Sequence, residues 1–455
     1  MSFQQGLSGL NAASKQLEVI GNNVANSNTV GFKAARAEFA DVYANSLTGG
    51  GGIAIGIGTK LATVSQQFTQ GNITSSGNSL DIAINGGGFF EMSASATDLT
   101  KTYSRNGQFH LDQYGYIVDA SNKNLNGWTA DILGNLQKGS IAPLKLSTDE
   151  LAPKTTATVV GLLNLDSRKP FIDPAITAFD PTDPATYSDS TAVTVYDSLG
   201  NSHTIQTFFV KTPDAAQAAA MAMPRSTAQE IIDSDAAIAA AATGSTMWSL
   251  YNTADNIPTG YVPPAAAVTS ATLTYTGLGR NPTVTPTVAN AITGLPEVTF
   301  TPVTGATVPL TLTMDYSGST QFGSSFSIND TVQDGYASGR LAGFNTSADG
   351  TIVGRYTNGQ SKIMGQVTLT QFKNPNALQP IGGNGWAETA DSGKLDASSP
   401  GSGQLGLLQS SALEESNSDL TAELVNMITA QRFYQANAQT IKTQDQVLQT
   451  LVNLR

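Results

Sequence analysis

Apolar residues recur at intervals of seven at both ends of the chain. Near the amino terminus the series is Phe3, Leu10, Leu17 and Val24, with Leu7 half a heptad away. Near the carboxyl terminus it is Leu420, Met427, Tyr434, Ile441 and Leu448, with Leu424 and Leu451 widening the stripe. Such spacing predicts helices that bury one stripe, the second about 36 residues and roughly 54 Å long. We therefore expect an α-helical coiled-coil domain formed by both chain ends.

A second interpretation of the same pattern stays open. Two amphipathic helices could instead lie separately on a globular core, and the polar residues Gln431 and Asp445 on the seam weaken the coiled-coil interpretation.

Between the ends, apolar and polar residues alternate in short runs that glycine and asparagine interrupt. The runs cover residues 80–92, 103–128, 190–211 and 338–360, and the last contains turn signals at Asp349-Gly350 and Asn358-Gly359. This pattern predicts all-β middle and outer domains of antiparallel, barrel-like or sandwich-like form. An alanine-rich stretch over 214–243 predicts two short helices separated by a proline.

The first apolar stripe ends in the asparagine-rich segment GNNVANSNTVGFK over residues 21–33. Asparagine side chains bond to nearby backbone and favour turns over helix interiors. The segment is therefore either an active-site loop or a hinge where the helix ends and the chain changes direction. Its signature positions are Asn22, Asn23, Asn26, Asn28, Gly31 and Phe32.

Composition and motifs argue against an enzyme. The chain has no cysteine and a net charge of −12, without the basic patch that nucleic acid requires. Its two histidines, His110 and His203, lie in predicted hairpin strands without a nearby acidic residue, so we expect structural roles for them. The glycine-rich stretch 49–60 lacks phosphate-loop spacing and predicts a flexible link. We expect no catalytic residue, cofactor, metal or small-molecule ligand.

No targeting or membrane signal is visible in the sequence. The amino terminus lacks the basic and apolar regions of a secretory signal peptide, and no apolar run is long enough to span a bilayer. These features favour a cytosolic location until another observation overrides it.

Three segments resemble the bacterial flagellar rod, hook and hook-associated proteins. They are NNVANSNTVGFK (22–33), QGNITSSGNSLDIAINGGGFF (70–90) and the stretch 413–451, which is similar to the common carboxyl-terminal segment of these axial proteins. Further segments at 190–211, 247–256, 333–360 and 369–375 resemble the hook members of the family. Two departures are visible: Ser418 replaces an apolar residue, and residues 212–246 look like an insertion without an inherited role.

The resemblance implies a structural subunit of the flagellar hook. Such subunits form a curved, flexible tube that works as a universal joint and transmits motor torque to the filament. The implied partners are other copies of the chain in a helical homopolymer, together with rod, hook cap and hook–filament junction proteins. The implied location is the extracellular flagellum, reached through type III export without a cleaved signal. A distal rod protein is the near alternative, and a β-rich extracellular binding module is the distant one.

The same resemblance and patterns suggest a nested division into domains. Residues 1–32 with 413–455 would form the helical inner-tube domain, and 33–70 with 392–412 an extended linker region. Residues 71–145 with 336–391 would form a β-rich middle domain. Residues 146–335 would form a β-rich outer domain that carries the insert 212–246.

Overall fold

The chain divides into two compact units. The computed structural model describes residues 2–42, 56–95, 97–98, 100–173, 177–213, 215–221, 245–255, 270–276, 278–291, 293–300 and 309–453. Unit 1 comprises Met1–Asp149 and Leu341–Arg455, and unit 2 comprises Glu150–Arg340. Most of the predicted link 49–60 and most of the alanine-rich stretch lie outside the described residues.

Two long helices and many short strands make up the described chain. Helix α1 spans Ser2–Ala25, helix α2 Ala215–Met221 and helix α3 Leu420–Asn453. The first strands of unit 1 are β1 Ala35–Val42, β2 Gly58–Gln66, β3 Ile73–Ser75, β4 Ile82–Asn85, β5 Phe89–Ser93, β6 Lys101–Ser104, β7 His110–Leu111, β8 Ile117–Val118, β9 Asn124–Thr129 and β10 Ala142–Pro143. The strands of unit 2 are β11 Thr158–Asp166, β12 Asp189–Tyr196, β13 Ser202–Thr212, β14 Thr246–Ala254, β15 Ala271–Tyr275, β16 Thr283–Pro286, β17 Glu297–Phe300, β18 Leu310–Asp315, β19 Thr320–Phe322 and β20 Ser327–Gln333. The remaining strands of unit 1 are β21 Leu341–Thr346, β22 Thr351–Tyr356, β23 Ser361–Val367, β24 Leu369–Thr370, β25 Gln379–Gly382, β26 Gly385–Ala387, β27 Leu407–Ser410 and β28 Ala412–Glu414.

Unit 1 is built around one large antiparallel sheet. Its main path runs β21-β22-β23-β9-β5-β6-β26-β25, so three strands from the amino-terminal part of the chain lie between strands from the carboxyl-terminal part. Apolar residues from both halves fill the core, among them Ile82, Phe90, Leu125, Val367 and Leu369. Both parts of the chain therefore contribute to the sheet and to the core of this unit.

Small strand pairs lead from this sheet toward the helices. Strand β27 pairs with β4 and β28 pairs with β3, while β1 and β2 form a separate two-stranded ribbon. The chain therefore leaves α1 along β1 and returns to α3 along β28.

Unit 2 contains two five-stranded sheets that share one apolar core. One sheet has the order β12-β13-β14-β15-β16, and the other contains β17, β18, β11, β19 and β20. Buried side chains from both sheets meet in this core, including Leu163, Phe209, Trp248 and Leu312.

The expectation of purely antiparallel sheets is wrong at one strand. Strand β11 pairs in parallel with β18 and with β19. These two strands belong to one extended path that a turn at residues 316–319 interrupts, so both run in the same direction along β11. Hairpin signals in a sequence report only strands that are neighbours along the chain, and this pairing is between distant segments.

The coarse fold prediction is confirmed: the chain is mostly β, with a helix at each end. The hairpin predicted over 190–211 is formed by β12 and β13, and the turn at Asp349-Gly350 joins β21 to β22. Strands β13 and β14, which flank the predicted insert, pair with each other. The coiled-coil geometry, the nesting and the domain boundaries stay predictions.

Candidate assembly surface

Helices α1 and α3 lie side by side and run in opposite directions. Gly6 lies opposite Ile441, and at the other end of α1 the Nδ2 atom of Asn23 donates to Oε1 of Glu423 at 3.1 Å. A Cβ atom added at Gly9 would lie 2.7 Å from Oδ1 of Asn437, so the Asn437 side chain occupies the space that a larger residue would need. Glycines of α1 therefore make room for the Ile441 and Asn437 side chains of α3.

The residues buried on this pair are mostly different from the predicted stripe. The buried positions are Gly6, Ala13, Ile20 and Asn23 on α1 and Ala430 on α3. Sequence reasoning followed the heptad register of Phe3, Leu10 and Leu17 and missed Gly6, Ala13 and Ile20, which lie in another register. A signal was nevertheless present, since residues 6, 13 and 20 also recur at intervals of seven.

The predicted stripe residues remain largely accessible to solvent. Those that are exposed are Phe3, Leu7, Leu420, Leu424, Tyr434 and Leu448. Those that are half-buried are Leu10, Leu17, Val24, Met427 and Ile441. The side chain of Leu451 lies outside the described residues.

Helix α3 exposes further large apolar residues. Val425, Ile428, Phe433 and Val447 are each close to half exposed, with values between 47% and 59%. Scattered single apolar residues are ordinary on a protein surface, whereas clusters mark sites of interaction. We call the exposed stripe residues of both helices the "outer helix face", for which the described part of the chain supplies no cover. At 100° per residue, Val425, Phe433 and Val447 lie on the opposite side of α3.

The asparagine-rich segment forms a tight corner after α1. The Nδ2 atom of Asn26 donates to Oδ1 of Asn22 at 2.6 Å, and Thr29 donates its backbone N–H to the carbonyl of Asn26. Gly31 has φ of +70°, and a Cβ there would lie 2.6 Å from the backbone nitrogen of Asn106. Of the remaining signature residues, Phe32 is half-buried and donates its backbone N–H to the carbonyl of Thr29 at 3.2 Å, and Asn28 is exposed.

Asn23 holds three segments together at this corner. Its side-chain amide pairs with the backbone of Ala35, donating to the carbonyl and accepting from the N–H, both at 2.9 Å. Its own carbonyl accepts a bond from Oγ of Ser418 at 3.1 Å. Ser418, which departs from the family pattern, is thus buried and bonded to α1. Asn23 connects the end of α1, the start of β1 and the start of α3.

A buried ion triad lies next to this corner. Oε1 of Glu414 lies 2.6 Å from Nζ of Lys33, and its Oε2 lies 3.1 Å from Nη1 of Arg105. Glu414 also accepts the backbone N–H of Gly71 at 2.9 Å, and Lys33 donates to the carbonyl of Thr69 at 2.8 Å. Burial lowers the pKa of Lys33 and of Arg105, although Glu414 opposes the effect on both. The sequence analysis did not single out these charges.

The expectation that neither histidine has an acidic neighbour is wrong for His203. The β12–β13 hairpin brings Asp197 to 3.2 Å from its Nε2 atom, and the end of β14 brings Asp255 to 2.7 Å from its Nδ1 atom. His110 is exposed in β7.

The described residues contain no group of three or more histidine, cysteine or acidic side chains arranged to hold a metal ion. Within the same ranges, no helix combines the length and apolar character needed to cross a bilayer.

Family models match four stretches of this chain. They are described as flagella basal body rod protein (residues 3–33), flagellar hook protein FlgE/F/G D1 domain (83–146), flagellar basal body protein FlaE D2 domain (164–336) and flagellar basal body rod FlgEFG protein C-terminal (409–454). The matches include both helices and much of each unit.

Curated relatives are similar over the whole length. The flagellar hook protein FlgE of Salmonella typhimurium is 38% identical over 458 residues, covering 100% of both chains. The protein of the same name from Escherichia coli K12 is 38% identical over 460 residues, again covering 100% of both. Among solved structures, the crystal structure of Helicobacter pylori flagellar hook protein FlgE2 gives a TM-score of 0.52 at 11% identity, covering 75% of this chain and 100% of that one. This last likeness concerns the fold.

Proposed function

The chain belongs to the flagellar hook protein FlgE family, and we propose that it self-assembles into a curved, flexible tube that transmits motor torque to the filament as a universal joint. The observation that carries this proposal is the outer helix face. Glycines of α1 already accommodate Ile441 and Asn437 of α3, and the apolar side chains that stay exposed on both helices are left to pack against other copies of the chain.

The helices would form the inner wall of the tube. Burying one of these half-exposed leucines would contribute about 1 kcal/mol, since complete burial from water contributes roughly 1.5–3 kcal/mol. Several such contacts per copy suffice to order the polymer. The assembly residues in this proposal are the predicted stripe residues of both helices.

We further propose the nested division predicted from the sequence. Residues 1–32 with 413–455 would form the inner tube, and 33–70 with 392–412 the link to it. Residues 71–145 with 336–391 would form the middle domain and 146–335 the outer domain. The pairing of strands from both chain halves in unit 1 supports a nested arrangement.

The role of the asparagine-rich corner as a compliant hinge is also part of the proposal. The function needs some element that yields while neighbouring copies slide during rotation. The bonds of Asn23 and the buried Lys33–Glu414 pair hold the static corner in one shape, so compliance there requires that these bonds open or tilt together. Breaking the pair tests this directly, as described in the Discussion.

The remaining functional proposals follow from family membership. We propose contacts with rod, hook cap and hook–filament junction proteins, export through the flagellar type III apparatus without a cleaved signal, and an extracellular location in the hook. The family consists of structural flagellar proteins, and we propose no catalytic activity, cofactor, nucleic-acid partner or membrane insertion for this chain.

Electron microscopy of the purified full-length chain after assembly in high salt tests the proposal. We expect curved tubes whose curvature changes with conditions. Straight, rigid tubes would favour a distal rod protein, and a chain that stays monomeric at every salt and protein concentration would overturn the self-assembly proposal. A variant that lacks 1–24 and 420–455 serves as the matched control and should remain a soluble, folded monomer.

A further inference from the structure

The imidazole of His203 is enclosed in unit 2 by two carboxylates and a ring. Its Nδ1 atom lies 2.7 Å from Oδ2 of Asp255, and its Nε2 atom lies 3.2 Å from Oδ2 of Asp197. Phe300 of β17 approaches edge-on, with ring centroids 5.6 Å apart. The side chains of His203 and Asp197 are almost completely buried, whereas Asp255 is partly open to solvent.

Backbone groups hold both carboxylates in place. Oδ1 of Asp197 accepts the N–H groups of Leu199 and Asn201 at 2.9 and 2.8 Å, which closes the β12–β13 turn. Oδ1 of Asp255 accepts the N–H of Thr204 at 3.2 Å, and its own N–H donates back to the Thr204 carbonyl at 2.8 Å. Neither carboxylate is therefore free to turn away from the imidazole without breaking backbone bonds.

Such geometry selects the protonated ring. A neutral imidazole carries one N–H, so one of its nitrogens would present a lone pair to a carboxylate oxygen. Only the imidazolium donates from both nitrogens. Burial opposes the positive charge, but the hydrogen bonds and charges of Asp255 and Asp197 outweigh it and raise the pKa of His203 above its usual 6.5.

We propose that Asp197, His203 and Asp255 form a proton-dependent clasp that holds the β12–β13 turn to the end of β14. Among the described residues, these two aspartates are the charged groups that face the ring, and Phe300 contributes only an apolar edge. When His203 loses its proton, one of its two bonds becomes a repulsive contact and the clasp loosens.

The direction of the pH dependence follows from the raised pKa. A group with a higher pKa in the folded state contributes stability that is complete below its unfolded pKa. The contribution is lost as the pH rises through the folded pKa. Unit 2 should therefore be held most firmly in mildly acidic solution and should loosen at one edge in alkaline solution.

Nuclear magnetic resonance of the full chain provides the first test. The chain has two histidines, so His110→Gln leaves one set of imidazole signals to assign to His203. We expect the imidazole of His203 to titrate above pH 6.5. The Asp255→Asn variant removes a partly exposed negative charge and should lower this titration midpoint. A wild-type titration at or below 6.5, or one that Asp255→Asn leaves unchanged, would overturn the clasp.

Hydrogen exchange provides the second test, on the same samples. Protection factors of the Thr204 and Asp255 amides should be several-fold lower above the His203 titration than below it. The His203→Gln variant has no side chain that titrates at this position. Its protection factors should therefore not change across the same pH range. If that variant does not fold, Asp255→Asn should shift the midpoint of the protection change downward. Protection in the wild type that is independent of pH would refute the proposal.

Discussion

Replacing Glu414 with glutamine isolates the charge of the ion triad while keeping its shape. The wild-type carboxylate is completely buried and faces Nζ of Lys33 at 2.6 Å and Nη1 of Arg105 at 3.1 Å. In Glu414→Gln, two buried cations face a neutral amide. Removing one member of a buried ion pair costs about 3–5 kcal/mol, because the remaining charge loses its compensation. We expect the free energy of unfolding of unit 1 to fall by about this amount.

The pair between Glu150 and Arg340 in unit 2 provides a matched control. These side chains lie 2.9 Å apart but are 59% and 82% exposed. Exposed pairs contribute about 0–1 kcal/mol, so Glu150→Gln should cost at most that. Urea titration followed by hydrogen-exchange mass spectrometry would measure each unit separately. If Glu414→Gln costs no more than Glu150→Gln, the triad does not stabilise the corner.

The pH dependence of Glu414→Gln gives a second check on the mechanism. Burial already lowers the pKa of Lys33, and Glu414 opposes this effect. Without the carboxylate, the pKa of Lys33 should fall further, so the folded chain releases this proton more readily than the unfolded chain. The stability loss caused by Glu414→Gln should therefore shrink as the pH rises, because Lys33 loses its uncompensated positive charge. A penalty that grows with pH would contradict this account. Hook curvature in the same variant would test the hinge proposal.

Three further predictions concern the insert, the helix pair and buried tyrosines. Replacing 222–244 with a short Gly-Ser turn should leave unit 2 folded. Replacing 214–244 should destabilise unit 2, because it also removes α2, in which Gln217 is buried. Thermal unfolding of both variants measures the difference. Gly9→Leu should weaken the pairing of α1 with α3, since even a Cβ atom there would lie 2.7 Å from the Asn437 side chain. Circular dichroism should show less helix in this variant than in the control Gln4→Leu, which changes an exposed position. Burial raises the pKa of Tyr275 to about 12. The free energy of unfolding of unit 2 should therefore fall by about 2–3 kcal/mol between pH 10 and 12, because Tyr275 ionises more readily in the unfolded chain. Urea titrations should show that Tyr275→Phe removes this pH-dependent loss.

Local patterns made the helices and hairpins predictable. Intervals of seven located both terminal helices, and residue pairs such as Asp349-Gly350 located turns because their conformational preferences act within a few residues. Pairings between distant segments could not be predicted in this way. Lys33 and Glu414 are 381 positions apart, and neither has a sequence neighbour that signals the other. The parallel pairing of β11 with β18 and β19 could not be predicted for the same reason.

The assembly site shows a subtler limit of the sequence. Large apolar residues at intervals of seven predict a seam, but the pattern does not say which partner they contact. The contact within the chain places Gly6 and Gly9 of α1 against the Ile441 and Asn437 side chains of α3. The predicted stripe residues that stay exposed, such as Leu420 and Leu448, are therefore available for contacts between copies. Periodicity predicted two apolar helices and left the partner of their stripe open, and its role in assembly stays a prediction.

Leu448 offers the sharpest test of that assignment. In the isolated chain this side chain is 50% exposed on α3, so Leu448→Asp replaces one accessible side chain with another and should not unfold the monomer. In a tube, the same aspartate would be buried without a partner, which costs several kcal/mol. Since about 1.4 kcal/mol corresponds to a tenfold change in affinity, we expect the critical concentration for assembly to rise by about 100-fold or more.

Two neighbouring variants separate burial from charge. Gln446→Asp adds the same charge at an exposed position about 200° away around the helix, and Asp445→Leu removes an exposed charge. Both should assemble at lower concentrations than Leu448→Asp, as measured by sedimentation and electron microscopy. If Leu448→Asp and Gln446→Asp shift the critical concentration equally, general repulsion between copies explains the effect and Leu448 is not buried in the polymer. If Leu448→Asp assembles like the wild type, α3 does not line the contact between copies. Limited proteolysis of the wild-type monomer gives a further check, because helices that leave large apolar side chains exposed should be cleaved before the β units.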